Sequence, residues 1–247
     1  MQNDLTSGEA THAKNGTLSE NGSGGQDLDD FIYLISHDVR ASVRALLELP
    51  QWIVEDLTEA GIPIDGQLRT SIELMNRHTG RLDRMLVDLL AFSRVGRMQP
   101  IGAIVVAEAL DDVLEHTRVP AGFKITKRLD CANVTMGERD LPTLLEAMIS
   151  NAIKHHDRET GEILVCCRCE GAQVLISVSD DGPGIEEQFH DRIFAPMTTL
   201  RPRDEVEGSG MGLAKVRKIA RQYGGDVDIV TSPFARGTSV VVRVPTE

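Results

Sequence analysis

Two glycine-rich stretches have the composition to hold a ligand, Asp180-Asp181-Gly182-Pro183-Gly184-Ile185 and Gly208-Ser209-Gly210-Met211-Gly212-Leu213. Glycine lets backbone approach a flat base, and a carboxylate such as Asp180 accepts the proton of an exocyclic amine. Free N–H groups at the start of the helix predicted from Leu213 attract phosphate. Upstream, the helical run Leu144–Lys154 carries Asn151. Its amide oxygen suits magnesium, which prefers oxygen ligands and keeps several waters. Lys154 follows on the same side of that helix, where it can meet a phosphate. Together these residues describe a pocket for a nucleotide and its metal. Each alone has a plainer reading. Asp-Gly and Pro-Gly are common turn signals, Gly-x-Gly-x-Gly has many chance matches, and Asn151 fits an ordinary amphipathic helix.

A separate site lies near the start. His37 sits about 200° around a helix from Ile35, so it points away from the apolar seam. Asp38 follows it directly. A carboxylate can hold one ring proton, fix the tautomer and sharpen the other nitrogen as a nucleophile. A solvated surface histidine beside an acid is the alternative on these residues alone.

The elements that position these groups follow from periodicity. Leu28, Ile32, Ile35, Val39, Val43, Leu46, Pro50, Ile53 and Leu57 step by three and four, as a bundle helix does. Pro50 should kink that helix. Gly61–Gly66 breaks the pattern, and Leu68, Ile72, Met75, Thr79, Leu82, Leu86 and Leu89 begin a second seam. Two such helices form an antiparallel hairpin too small to close its own core, so a homodimeric four-helix bundle is expected. Gly96–Gly102 reads as a linker. Beyond it, helices are predicted over 105–117, 141–156 and 213–223, and strands over 161–169, 173–179, 226–231 and 238–244. Helices on one face of a mixed sheet give an α+β sandwich. The division is 1–26 as a disordered polar tail, 27–96 as the hairpin, 97–104 as linker and 105–247 as the ligand-binding domain.

Composition narrows the classes. The chain has 247 residues and a formal net charge of -12, which argues against a nucleic-acid partner. No apolar run approaches the ~20 residues of a membrane span. Met1-Gln2-Asn3-Asp4 lacks the start of a secretion signal, so a cytoplasmic location is expected. Cys131, Cys166, Cys167 and Cys169 lack the paired spacing of a zinc site and are expected to be reduced thiols in or near a core.

The stretch Phe31-Ile32-Tyr33-Leu34-Ile35-Ser36-His37-Asp38-Val39-Arg40-Ala41-Ser42 resembles the H-box of sensor histidine kinases. Arg81–Arg94 looks like the end of the same hairpin in that family. The ordered set of the Asn151 helix, Asp180-x-Gly182-x-Gly184, Ile193-Phe194-Ala195-Pro196 and Gly208-x-Gly210-x-Gly212-Leu213 resembles the N, G1, F and G2 boxes of the ATP-binding superfamily of histidine kinases, gyrase, Hsp90 and MutL. Gly237-Thr238 resembles the last turn of that fold. Residues 198–207 resemble its mobile lid, where Arg201 and Arg203 either neutralise phosphate or are simply solvated. The likeness covers residues 28–245.

That resemblance implies a phosphoacceptor role for His37 with Asp38 as its acid–base partner. It implies ATP at Asn151, Lys154, Asp180, Gly182, Gly184, Phe194, Gly208, Gly210, Gly212, Leu213 and Thr238, with Mg2+ held by Asn151. The reaction implied is self-phosphorylation followed by transfer to a receiver-domain response regulator. There are departures. Ser42 replaces a frequent Pro. Ala41 replaces the residue that positions water for removing phosphate from the regulator, so phosphatase activity by that route should be weak. Ala147 stands where hydrolytic members have Glu and kinases have Asn, and Glu146 beside it is rotated by about 100°. His155 stands where an aromatic ring often lies near adenine. An ATP-independent phosphotransfer scaffold and a gyrase-type ATPase are the rival readings.

Overall fold

A computed structural model describes the backbone of residues 23–97, 99–201 and 208–246, and the side chains of these except 23–30 and 37. Most of the expected polar tail therefore lies outside the described residues. So do residues 202–207, including Arg203, where a lid is expected.

Two long helices, α1 (Ser23–Glu59) and α2 (Gly66–Ser93), form the expected hairpin. The first helix begins at Ser23, inside the segment predicted as tail and before the predicted start at Leu28. It runs through Pro50 as a single element. The hairpin's inner seam is narrower than the sequence pattern suggests. Ser36, Val43 and Pro50, recurring every seventh residue of α1, are buried, facing Ile72, Leu86, Leu90 and Ser93 of α2. Ile35, Val39, Leu46 and Ile53, placed in the same seam by periodicity, are exposed. Arg40 Nε lies 3.8 Å from Asp83, and the Arg94 guanidinium lies 5.4 Å from the Tyr33 ring centroid. This register puts residue 37 of α1 at the height of Leu86–Leu90 on α2.

The second unit follows without a loose connection. Val95 is buried at 4% exposure, and a strand, β1 (Ile101–Val105), overlaps the end of the predicted linker. It leads into α3 (Val106–His116), β2 (Phe123–Leu129), β3 (Asn133–Gly137) and α4 (Asp140–Lys154). Next come β4 (Gly161–Glu170), β5 (Gln173–Asp180), α5 (Gly212–Gln222), β6 (Asp226–Thr231) and β7 (Thr238–Pro245). The main sheet has the order β2-β4-β5-β7-β6, with β2 and β4 parallel and the other pairs antiparallel. β1 and β3 pair separately. Strand alternation sorts the core. Ile163 and Val165, Val174, Ile176 and Val178, and Val240, Val242 and Val244 join one cluster with Leu110 of α3, Leu145 and Ile149 of α4, and Val216 and Ile219 of α5. Leu164, Leu175 and Val241 are buried on the opposite side. The α+β sandwich is thus a mixed sheet with three helices on one face.

The cysteines differ from expectation. Cys131 and Cys169 form a disulfide with Cα atoms 5.6 Å apart, leaving Cys166 and Cys167 as free thiols. The parallel pairing of β2 with β4 carries Cys131 to the end of β4, where its N–H donates to the Cys167 carbonyl over 3.2 Å.

A cleft between α4, α5 and the helical hairpin

Asp180 ends β5 at 9% exposure, because the apolar strand carries it to the edge of the core before the chain turns. Its Oδ1 accepts N–H bonds from Gly182 at 2.9 Å and Thr238 at 3.2 Å. Its carbonyl accepts the Ser232 hydroxyl at 2.7 Å. Burial pushes the Asp180 carboxyl up from its ordinary value, and those two N–H groups hold it back. Gly237 is required here. At φ 107° a Cβ would stand 1.9 Å from the Asp180 carbonyl oxygen. Behind Asp180, the ring of His156 sits 3.0 Å from Asp181 Oδ1 and edge-on to Phe123 at 5.1 Å. Asp181 Oδ1 also accepts the Glu162 N–H at 2.7 Å, which ties the turn after β5 to the start of β4.

Asp180 opens into a cleft of about 590 Å³. One wall is the α4 face bearing Ala147, Asn151, Lys154 and His155. The opposite wall is the glycine stretch before α5, with Gly208, Gly210, Gly212 and Leu213. Gly184 and Thr238 complete the floor beside Asp180. Gly210 has φ 75°, and a Cβ there would meet the Thr198 carbonyl oxygen at 2.6 Å, so the two loops that close the cleft pack backbone on backbone. His155 is held below its ordinary 6.5, first by burial and then by the positive charges of Arg201 and Lys154.

Most of the sequence-predicted ligand residues therefore meet in one place. Two stand behind it. Gly182 buttresses Asp180 through its N–H, and Phe194 is 4% exposed in the core with the Arg217 guanidinium 4.7 Å above its ring. Its neighbour Ile193 lines the cleft instead. Asp38 lies on α1 and is exposed; His37 is placed by backbone alone, at the height given by the hairpin register. Arg201 lines the cleft.

Sequence reasoning missed the contribution of α2. Arg84 and Asp88 also line the cleft. Asp88 accepts the Ser209 hydroxyl at 2.5 Å and the Lys215 ammonium at 2.8 Å. Lys218 donates to the Phe92 carbonyl at 2.9 Å, with its ammonium 4.3 Å from that ring. No local pattern could reveal these contacts, because each joins residues more than a hundred positions apart.

No group of three or more acidic, histidine or cysteine side chains among the described residues could hold a metal ion. No helix among them is long and apolar enough to cross a membrane.

Residues 136–247 match the sequence family described as histidine kinase-, DNA gyrase B- and HSP90-like ATPase. The methanogenesis regulatory histidine kinase FilI of Methanothrix harundinacea is 29% identical over 89% of this chain, which covers 25% of that protein. The crystal structure of full-length ShkA with AMPPNP superposes with a TM-score of 0.64 at 21% identity, over 88% of this chain and 46% of that one. The histidine kinase ThkA, solved in complex with the response regulator protein TrrA, gives a TM-score of 0.60 at 18% identity over 90% of this chain and 64% of that one. The chain thus spans a quarter of FilI and about half of ShkA.

Proposed function

We infer that the chain is a sensor histidine kinase core whose C-terminal half is an ATP-binding domain of the histidine kinase, gyrase B and HSP90-like type, and on that basis that it phosphorylates itself on His37 from ATP and passes the phosphoryl group to an aspartate of a response regulator. The observation that carries this reading is the convergence of Asn151, Asp180, Gly208, Gly210 and Gly212 on one cleft whose rim is α2 at the height of His37.

The residues fit the nucleotide. Asp180 Oδ1 is already taken by two N–H groups, so Oδ2 would accept the exocyclic amine of adenine. His155, held neutral, would stack on the base without repelling a cation there. The amides before α5 would take phosphate, with Lys154 and Lys215 neutralising charge. Asn151 fits magnesium as a single protein oxygen beside phosphates, since that ion keeps several waters and needs no carboxylate cage. When bound, it would neutralise charge on the phosphate oxygens. Ala147 offers no group to activate water, which favours a histidine acceptor over hydrolysis. The His37 ring nitrogen would attack the terminal phosphorus in line as its bond to the bridging oxygen breaks and ADP leaves, and the Asp38 carboxylate would hold the proton on the other nitrogen. Catalysis of this kind is chiefly positioning.

The exposed apolar stripes on the hairpin support a homodimer. Ile35, Val39, Leu46 and Ile53 on α1 and Leu68, Met75 and Leu82 on α2 recur at bundle spacing and are exposed in the single chain. A second copy would bury them as a four-helix bundle. A response regulator partner is supported by the family likeness and by the complex in which ThkA was solved. The bundle and the cleft would both work in the cytoplasm. Ala41 is exposed on α1 and carries no hydrogen-bonding group to hold water, so dephosphorylation of the regulator by that route would be weak.

Incubation with γ-labelled ATP and magnesium tests the reading. Acid-labile label on the wild type and none on His37→Ala is expected. Label on neither would favour a phosphate relay, and phosphate release indifferent to His37→Ala would favour an ATPase.

A further inference from the structure

We propose that Asp88 is a latch that the phosphates of a bound nucleotide displace, so that filling the cleft undocks the hairpin from the ATP-binding domain. The proposal rests on the nucleotide reading of the cleft. Ser209 and Lys215 carry the side-chain hydrogen donors that line its α5 wall among the described residues, one in the glycine stretch and one in the first turn of the helix. Both are engaged by a single carboxylate from α2, Ser209 by Asp88 Oδ2 and Lys215 by Oδ1. Ser209 is 8% exposed and the Lys215 side chain 15% exposed, so neither is merely solvated.

A carboxylate at this point does what a phosphate would do. It places negative charge at the start of α5, where the helix dipole and unpaired amides favour it, and it neutralises the lysine. Asp88 is thus an anionic stand-in supplied by the hairpin. A nucleotide whose phosphates approach Gly208–Gly212 meets a fixed negative charge in the wall and two donors already committed. The Ser209 hydroxyl has one proton to give, so phosphate and Asp88 compete for it, and although Lys215 has donors to spare its one positive charge must then be divided between two anions, so each raises the cost of the other.

The second half of the docking contact lies outside the cleft. Phe92, one turn further along α2, takes Lys218 through its carbonyl and its ring. This contact holds α2 against α5 and does not touch the ligand space. Antagonism between nucleotide and docking is therefore reciprocal. Weakening the dock at either point favours nucleotide, and nucleotide favours release of the domain. Release would free the loaded domain to move relative to His37, which sits level with the latch on the neighbouring helix.

The test is calorimetric titration of the full chain with magnesium and AMPPNP, using wild type, Asp88→Asn and Phe92→Ala, each checked for unchanged helicity. Asp88→Asn should bind about threefold tighter or more, the scale of one partly exposed ion pair. Phe92→Ala should also bind tighter, because it can act on the cleft only through docking. Unchanged or weaker binding by Asp88→Asn overturns the latch and makes Asp88 a support for Lys215. Tighter binding by Asp88→Asn with no change in Phe92→Ala also overturns it, since simple charge repulsion would then suffice. No binding by either wild type or Asp88→Asn overturns the nucleotide reading itself, and the latch falls with it.

Discussion

Tyr223 donates its phenol hydrogen to Asp140 Oδ2 over 2.6 Å, joining the end of α5 to the start of α4. The same carboxylate oxygen accepts the Gly96 N–H at 3.0 Å, and the phenol oxygen accepts the Gly137 N–H at 2.9 Å. One hydroxyl therefore secures both β3 and the segment leaving the hairpin. Tyr223→Phe should lower stability by about 1–3 kcal/mol, the cost of leaving a buried polar partner unsatisfied. The urea midpoint of unfolding measures it. Burial, then the Asp140 carboxylate, raises the Tyr223 phenol above its ordinary 10.0. Its contribution is whole below about pH 10. Above that pH the unfolded chain loses the proton first, so stability falls with rising pH. The Phe variant should lose that part of the alkaline slope.

The segments with strong periodicity were legible in the sequence. The apolar steps of α4 and α5 and the β-branched run of β7 each match a buried face of the core. What escaped depends on distant partners. β1 is exposed at nearly every position, so no alternation marks it, and only its ladder to β3 makes it a strand. β2 carries Lys124, Lys127 and Arg128 and is defined by pairing with β4. The disulfide has no local signature for the same reason, because without β2 nothing places Cys131 beside Cys169. In the hairpin the apolar period matches the helices but spans two faces, one buried within the hairpin and one exposed. The cleft's own motifs were legible because backbone geometry demands glycine at Gly210 and Gly237. Asp88 was not, because nothing local distinguishes it from a solvated acid.

His155 should titrate below 6.5 in the folded chain, and replacing Arg201 with Ala should move it back upward. Burial is the larger cause and remains, so the recovery should be partial. Ring-proton NMR titration of both proteins reads this directly. The sign for stability follows. Above pH 6.5 the ring is neutral in both states. As pH falls below 6.5 the unfolded chain takes up the proton first, and this contribution to stability declines toward the folded value. A His155 that titrates at 6.5 or above would contradict the cleft electrostatics described here.

Gly237→Ala should be among the most damaging single substitutions. It adds a methyl group 1.9 Å from the Asp180 carbonyl oxygen at a φ that alanine resists. Relief would require moving the turn that presents Thr238 N–H to Asp180. A loss of about 3 kcal/mol or more is expected, within the range for overpacking plus backbone strain. Thermal unfolding gives the stability, and titration with AMPPNP should show lost affinity even in the fraction that stays folded.

The disulfide and the free thiols can be tested together. Cys131 and Cys169 are 38 residues apart, and closing a loop of that length stabilises by about 3–4 kcal/mol in the chain-entropy account. Cys131→Ser with Cys169→Ser should lose that amount in denaturant unfolding, and reductant should have no further effect on the double variant. Burial pushes the Cys167 thiol up to about 11 and also raises the half-buried Cys166 thiol, which stays the more accessible of the two. A maleimide should therefore label Cys166 well before Cys167 in the folded protein.

The exposed stripe on the hairpin gives the last expectation. Leu82 and Met75 on α2 and Leu46 on α1 are each about two-fifths exposed in the single chain, although they sit at bundle spacing. The inner seam of Val43, Ile72, Leu86 and Leu90 is closed without them. Introducing a charge on the stripe should therefore break association and leave the hairpin folded. Leu82→Glu is expected to sediment as a monomer at concentrations where the wild type is a dimer, with far-ultraviolet helicity nearly unchanged. Val43→Glu, by contrast, buries a carboxylate inside the hairpin and should unfold it, with loss of helicity. The contrast between the two variants separates an interface from a core. If Leu82→Glu and the wild type sediment alike as monomers, the stripe has another occupant and the four-helix bundle is wrong.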